Sequence, residues 1–240
     1  PTGALRPAGR PQSPSPKRSA VPARAELTAA KTGSLPQAPQ SARAAQTSTA
    51  SPTVPQADAQ PAVGMSTELL NKIASADWQA LQTLSQHCTA CALSAMGRQH
   101  VVFSDGGPGP KLVVVGEAPG AEEDLQGIPF VGKSGKLLTA MLDSLGLVRR
   151  RDCVILNVLK CRPPRNRNPQ PEEIVCCGHW LARQLELLKP DVLFLAGRFA
   201  ISSLLKPADE MFSISKMRGR IHLAQLPDGR QVPAVATYHP

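Results

Sequence analysis

Three short apolar runs, each followed by a stretch with helical spacing, set the limits on how this chain can fold. Residues 111–116 read KLVVVG, residues 153–158 read CVILNV and residues 191–196 read DVLFLA. Apolar residues sit on both faces of each run, as in strands of a parallel sheet covered on both sides by helices. Helical spacing follows at 137–145, at 169–188 and at 198–205. In the second of these, Pro171, Glu172 and Glu173 suit a first turn, and Lys189-Pro190 ends the periodicity. A last pair of apolar segments, 221–223 and 232–237, flanks Pro227-Asp228-Gly229 and reads as paired strands. Ahead of them all, Asp77 is placed to cap a helix carrying Trp78, Leu81 and Leu84. Strands alternating with helices give an α/β domain with a mostly parallel sheet. Ligands of such sheets bind beyond the carboxyl ends of the strands. The loops after Gly116, Val158, Ala196 and Thr237 are therefore the places to look for chemistry.

Composition divides the chain in two. Residues 1–64 hold 11 of its 24 prolines, no aromatic residue, and seven Lys/Arg against Glu26 and Asp58. Such a stretch lacks the apolar side chains to offset its chain entropy, so a disordered basic tail is expected over 1–64 and a folded domain over 65–240. The first 25 residues are acid-free and weakly like an organelle transit peptide, but they show no clear amphipathic helix. No apolar run is long enough to cross a membrane, so no membrane partner is expected, and the default expectation is a cytoplasmic protein of bacterial type that acts as a monomer. The basic charge of the 1–64 tail favours encounter with nucleic acid, the alternative being a solvated linker with no task. The chain begins at Pro1 without a methionine and stops after Tyr238-His239-Pro240. The expectation drawn from this is a fragment whose folded domain is incomplete at its C-terminus.

Six cysteines are present: Cys88, Cys91, Cys153, Cys161, Cys176 and Cys177. Cys88-Thr-Ala-Cys91 is a C-x-x-C, and Cys161 sits in an Arg/Pro-rich loop. Cys153 lies inside a strand and reads as core. In the long helix Ile174, Cys177, Leu181, Leu185 and Leu188 share one stripe, which turns Cys177 inward and leaves Cys176 pointing elsewhere. Cys88, Cys91, Cys161 and Cys177 are thus taken as one four-thiolate set. With no signal peptide and few cysteines for the length, a disulfide framework is disfavoured. Spacing alone does not separate a structural zinc from an iron–sulfur cluster.

The loop after the first strand reads GEAPGAEED, followed by QGIPFVGKSG. Gly127 to Ser134 matches the spacing of a phosphate-binding P-loop, but it follows a loop rather than a strand, and Pro129 and Phe130 occupy the cradle. Nucleotide hydrolysis is set aside on that ground. Taken together, GEAPGAEEDLQGIPFVGKSGKLL, NVLKCRPPRNRNP, the four-cysteine layout and the terminal TYHP resemble the family 4 (iron–sulfur) uracil-DNA glycosylases, from about Trp78 to Pro240.

That resemblance implies a three-layer α/β/α fold with a four-stranded, mostly parallel sheet, a [4Fe-4S] cluster on the four cysteines, and uracil-containing DNA as substrate. It implies a DNA repair enzyme that hydrolyses the N-glycosidic bond of uracil and leaves an abasic site. It also implies site roles. Phe130 stacks the base. Asn157 reads O4 and N3–H. His239, with the Glu117 and Ala118 backbone, stabilises O2. Glu123 lies near C5, where it excludes a thymine methyl, and Glu117 orders the loop or places water. Family 1 enzymes carry a water-activating Asp where this chain has Ala118, so no general base is assigned. Arg162, Arg165 and Arg167 are the expected contacts to the DNA backbone. A relative of this group captures DNA covalently through a His after its third cysteine. Here that place reads Arg162-Pro-Pro-Arg-Asn-Arg, which favours hydrolysis. The alternative reading is a non-catalytic, metal-stapled nucleic-acid-binding module. It differs in predicting binding without base release.

Overall fold

The computed structural model describes residues 64–208 and 212–240. The 1–64 segment falls outside the described residues up to residue 63. Two capped helices open the described part. In α1 (Thr67–Ser75) the Ser66 hydroxyl accepts from Leu69 N, and in α2 (Trp78–Gln86) the Asp77 carboxylate accepts from Ala80 N at 2.8 Å. Five strands and five further α-helices follow: β1 (Leu112–Gly116), α3 (Ala121–Gln126), α4 (Lys133–Ser144), β2 (Cys153–Asn157), α5 (Pro171–Leu188), β3 (Val192–Ala196), α6 (Arg198–Leu205), α7 (Ile214–Met217), β4 (Ile221–Gln225) and β5 (Gln231–Thr237).

The sheet runs β2-β1-β3-β5-β4. The first four strands are parallel, and β4 pairs antiparallel with β5 at one edge. The sheet thus has five strands where four were expected. The extra strand is the first arm of the 221–237 pair, and its partner β5 is the strand that joins the parallel set. The arrangement follows from the residues. β1 and β2 are apolar on both faces and lie inside, whereas β4 alternates and leaves Ile221 and Leu223 exposed. Among the described residues no helix is long and apolar enough to cross a membrane.

Register aligns the strand ends. Gly116 pairs with Asn157 and Ala196 with Thr237, so the carboxyl ends of β1, β2, β3 and β5 lie along one rim. The residues that sequence reasoning flagged there, Gly116, Asn157 and His239, come from three of those ends.

Helix α5 corrects one expectation. Its stripe of Cys177, Leu181, Leu185 and Leu188 faces the main core, but Cys176, Trp180 and Gln184 are buried too. Trp180 packs with Ile73, Leu81 and Phe103, which belong to α1, α2 and the segment before β1. The helix is covered on two sides, so Cys176 is not turned away from the other cysteines. A periodicity argument finds one buried stripe and cannot place the second partner.

Candidate functional site

At the rim of the sheet lies an open cavity of about 200 Å³. Its lining includes Glu117, Ala118, Glu123, Phe130, Asn157, Arg167 and His239, so the structure brings these expected site residues together. Arg162 and Arg165 do not line it. Ser134, Pro163 and Asn166 do, and sequence reasoning did not single them out.

Two side chains meet over Gly116. A Cβ at that glycine would lie 2.4 Å from the Phe130 ring and 2.5 Å from Asn157 Oδ1. Only a residue without a side chain lets both close on the strand end. Gly116→Ala is therefore expected to retain the fold, lower the melting temperature by several degrees as neighbours are displaced, and disturb Phe130 and Asn157 together. Melting curves and base-excision rates on the same preparation test this.

Asn157 is buried, and its Oδ1 has no hydrogen-bond partner. An unpaired buried acceptor costs about 1–3 kcal/mol, so its presence in a pocket wall marks a place where a ligand donor fits. Its backbone carbonyl is engaged by the buried Lys160, whose ammonium donates at 2.7 Å. Burial pulls the Lys160 pKa down to about 7, while the neighbouring Cys177 and Cys161 oppose that shift.

Phe130 is buried and takes a left-handed backbone conformation, with φ of 55°. Its ring and that of the exposed His239 lie 19° from parallel with centroids 5.4 Å apart. Glu117 is half-buried. Desolvation pushes its carboxyl above the ordinary Glu value, although His239 beside it pulls the other way. Glu123 lines the cavity, but both of its oxygens are engaged. One accepts from Gly120 N at 3.0 Å, the other from Val131 N and Gly132 N at 2.9 and 2.8 Å. Its carboxylate therefore holds the two glycine-rich turns against each other.

The arginines of the 162–167 loop differ in their commitments. Arg167 makes a bidentate pair with the buried Glu173, at 2.6 and 3.0 Å. Burial opposes the Glu173 charge, but Arg167 and the Gln170 amide together hold its pKa below the usual value. Arg162 Nε donates to Asn166 Oδ1 at 2.8 Å, and Arg165 is exposed in a left-handed turn with φ of 54°. Arg165 is exposed and Arg162 half-buried, whereas Arg167 ties the loop to α5.

Behind this loop, Cys88, Cys91, Cys161, Cys176 and Cys177 line a second, enclosed cavity with Lys160 and Trp180. Cys153 is fully buried in β2 and belongs to the core. Burial raises the thiol pKa of Cys91, pushes that of Cys161 up to about 11, and raises that of Cys177 further. These sulfurs ionise only with help from positive charge. Arg98 supplies such charge, its Nη1 donating to Cys161 Sγ at 2.9 Å, and the Lys160 side chain lies beside Cys161 and Cys177. Cys176 instead directs its S–H at Ala90 O, 3.5 Å away. The donor set suits a group of net negative charge bound by four thiolates. Among the described residues no three His, Cys, Asp or Glu side chains converge tightly enough for a single metal ion.

Comparison with known proteins agrees with this geometry. The family model described as the uracil DNA glycosylase superfamily matches residues 103–240. The Type-4 uracil-DNA glycosylase of Archaeoglobus fulgidus is 47% identical over 154 residues, covering 64% of this chain and 76% of that protein. That of Thermotoga maritima is 44% identical over 153 residues, covering 64% and 76%. The Type-5 uracil-DNA glycosylase of Pyrobaculum aerophilum is 36% identical over 110 residues, covering 40% of this chain and 48% of its own. The matched region contains the whole sheet and the rim cavity, and on these grounds the chain belongs to the uracil DNA glycosylase superfamily.

Proposed function

We propose that this chain is a DNA repair glycosylase that hydrolyses the bond between uracil and deoxyribose and leaves an abasic site. The observation that carries the reading is the unpartnered Asn157 Oδ1 in the wall of the rim cavity. A side-chain amide offers one acceptor and two donors, which complement the N3–H and O4 of uracil. Cytosine presents an acceptor and a donor at those positions, so it leaves both partners unpaired and is rejected strongly.

The base is unreachable inside a duplex and is flipped into the cavity, at a cost of a few kcal/mol. There the buried Phe130 offers an apolar face beside it. Breaking the glycosidic bond leaves positive charge on the sugar and negative charge on uracil, mostly at O2. His239 and the backbone at Glu117 and Ala118 stabilise that anion. The Glu117 carboxylate, when ionised, stabilises the sugar cation or orients water. Glu123 shapes the C5 side of the pocket through the turns it ties, and so excludes a thymine methyl by position. Arg162 and Arg165 contact the phosphates, with Arg167 fixing their loop.

Cys88, Cys91, Cys161 and Cys177 hold a [4Fe-4S] cluster in this reading, and Cys176 stays a thiol. These four cysteines come from the 88–91 turn, the 161 loop and α5, so a group held by their thiolates would tie those three segments together. Lys160 and Arg98 offset its charge.

Excision on oligonucleotides carrying one uracil, cytosine or thymine tests the reading. Release of uracil alone is the expected result. Binding without base release would instead support the non-catalytic module. A second expectation concerns pH. Burial raises the Glu117 pKa, and its carboxylate acts when ionised. Excision is therefore present above that raised pKa and falls as pH drops through it, with an acid limb above the ordinary Glu range. Glu117→Gln is expected to abolish this limb along with part of the rate. A limb that persists in the variant would assign it to another group.

A further inference from the structure

The uracil-stacking role of Phe130 needs a ring held at a fixed tilt. Its backbone, however, lies in a left-handed conformation that a bulky residue avoids. Something must hold it there. The glycine-rich segment around it is anchored from both sides. On one side the Glu123 carboxylate accepts from the amides of Val131 and Gly132, just after the ring. On the other side a single guanidinium holds the preceding carbonyls. Arg149 Nη1 donates to Phe130 O at 2.6 Å and to Thr139 Oγ1 at 3.2 Å, and its Nη2 donates to Pro129 O at 2.7 Å. Its Nε donates to Asp105 Oδ2 at 2.7 Å, and Arg150 Nε donates to the other oxygen of the same carboxylate. The Asp105 side chain is 2% exposed and that of Arg149 18%.

Asp105 is itself fixed to the sheet. Its N–H donates to Ile155 O at 2.9 Å, and Ile155 N donates back to Asp105 O at 3.0 Å. Ile155 lies two residues before Asn157 on β2. The same strand therefore presents the amide that reads the base edge and, through Asp105 and Arg149, the ring that stacks the base. At Gly135 a Cβ would lie 2.0 Å from the Phe130 carbonyl, so α4 closes over the same peptide.

We propose that Arg149, braced by Asp105, is a positioning residue for excision: it sets the tilt and depth of the Phe130 ring relative to Asn157. Arg149 does not line the cavity, so it acts through Phe130. The proposal rests on Phe130 being the stacking residue. Lysine cannot replace it, because a single ammonium does not span two carbonyls, a hydroxyl and a carboxylate in one plane.

The test is a double-mutant cycle on single-turnover excision, using Arg149→Met, Phe130→Leu and the pair, on the full chain with its visible absorption and melting temperature recorded. Arg149→Met is expected to slow excision on the order of a hundredfold, with affinity for uracil-free duplex within about threefold of the parent. The double variant is expected to be no slower than the worse single variant by more than about threefold, since both remove one function. Asp105→Asn, carried through the same cycle, serves if Arg149→Met does not fold, and the same sub-multiplicative result is expected. Losses that multiply while Phe130→Leu alone is slow would overturn the positioning role and leave the stacking role standing. A Phe130→Leu protein of unchanged rate would overturn the stacking reading and the proposal with it.

Discussion

Asn157→Ala is expected to lower uracil excision by about two to three orders of magnitude, the loss usual when one group matched to the reacting species is removed. The protein itself should barely notice. Asn157 Oδ1 has no partner in the free chain, so its removal eliminates an unsatisfied buried acceptor rather than a bond. The melting temperature is expected to stay within a few degrees of the parent. Single-turnover excision and thermal melting on the same sample separate these effects. A fall of tens of degrees with the lost rate would show that Asn157 is a strut. An unchanged rate would place the base elsewhere.

Cys177→Ala is expected to act in the opposite way, on stability first. The anaerobically purified parent should contain about four irons and four sulfides per chain, with visible absorption. The variant should lose that absorption and melt on the order of 10 °C lower, since a cross-link spanning loops of these lengths contributes about 3–5 kcal/mol. Excision falls as the 161–167 loop loses its anchor. Cys176→Ala is the control and should keep iron, sulfide and absorption, because its thiol is spent on Ala90 O. One zinc and no iron in the parent would refute the cluster. Loss of iron from the Cys176 variant would put the fifth cysteine in the ligand set.

The sheet was readable because β1 and β2 are apolar on both faces and end in residues of a different kind. KLVVVG stops at a glycine and CVILN at an asparagine, and the register then places those two side by side. The 198–205 helix coincides with α6 (Arg198–Leu205) for the same reason, bounded by Gly197 and Lys206. The relation of Arg149 to Asp105 left no trace: the two lie 44 residues apart, and neither belongs to a periodic pattern. The engagement of Glu123 was hidden differently. An acidic run before a helix reads as a favourable first turn, and nothing in EED says which carboxylate reaches the amides of a second loop. Arg167 looked like its neighbours until Glu173 was seen beneath it. In each case what escaped was a long side chain whose partner is chosen by tertiary folding, while backbone elements and strand-end residues followed from local pattern.

The two walls of the rim cavity differ in how freely they can change over generations. The Asn157 wall is the sheet itself, and a substitution there must satisfy a parallel ladder, a buried lysine and the helices on either face. The Phe130 wall is a turn hung from one carboxylate and one guanidinium. Insertions or exchanges within residues 118–132 can alter the floor and depth of the cavity while β2 remains as it is. Divergence in which damaged base this scaffold accepts is therefore expected to accumulate in that turn and its two anchors, with the strand acting as the inherited constant.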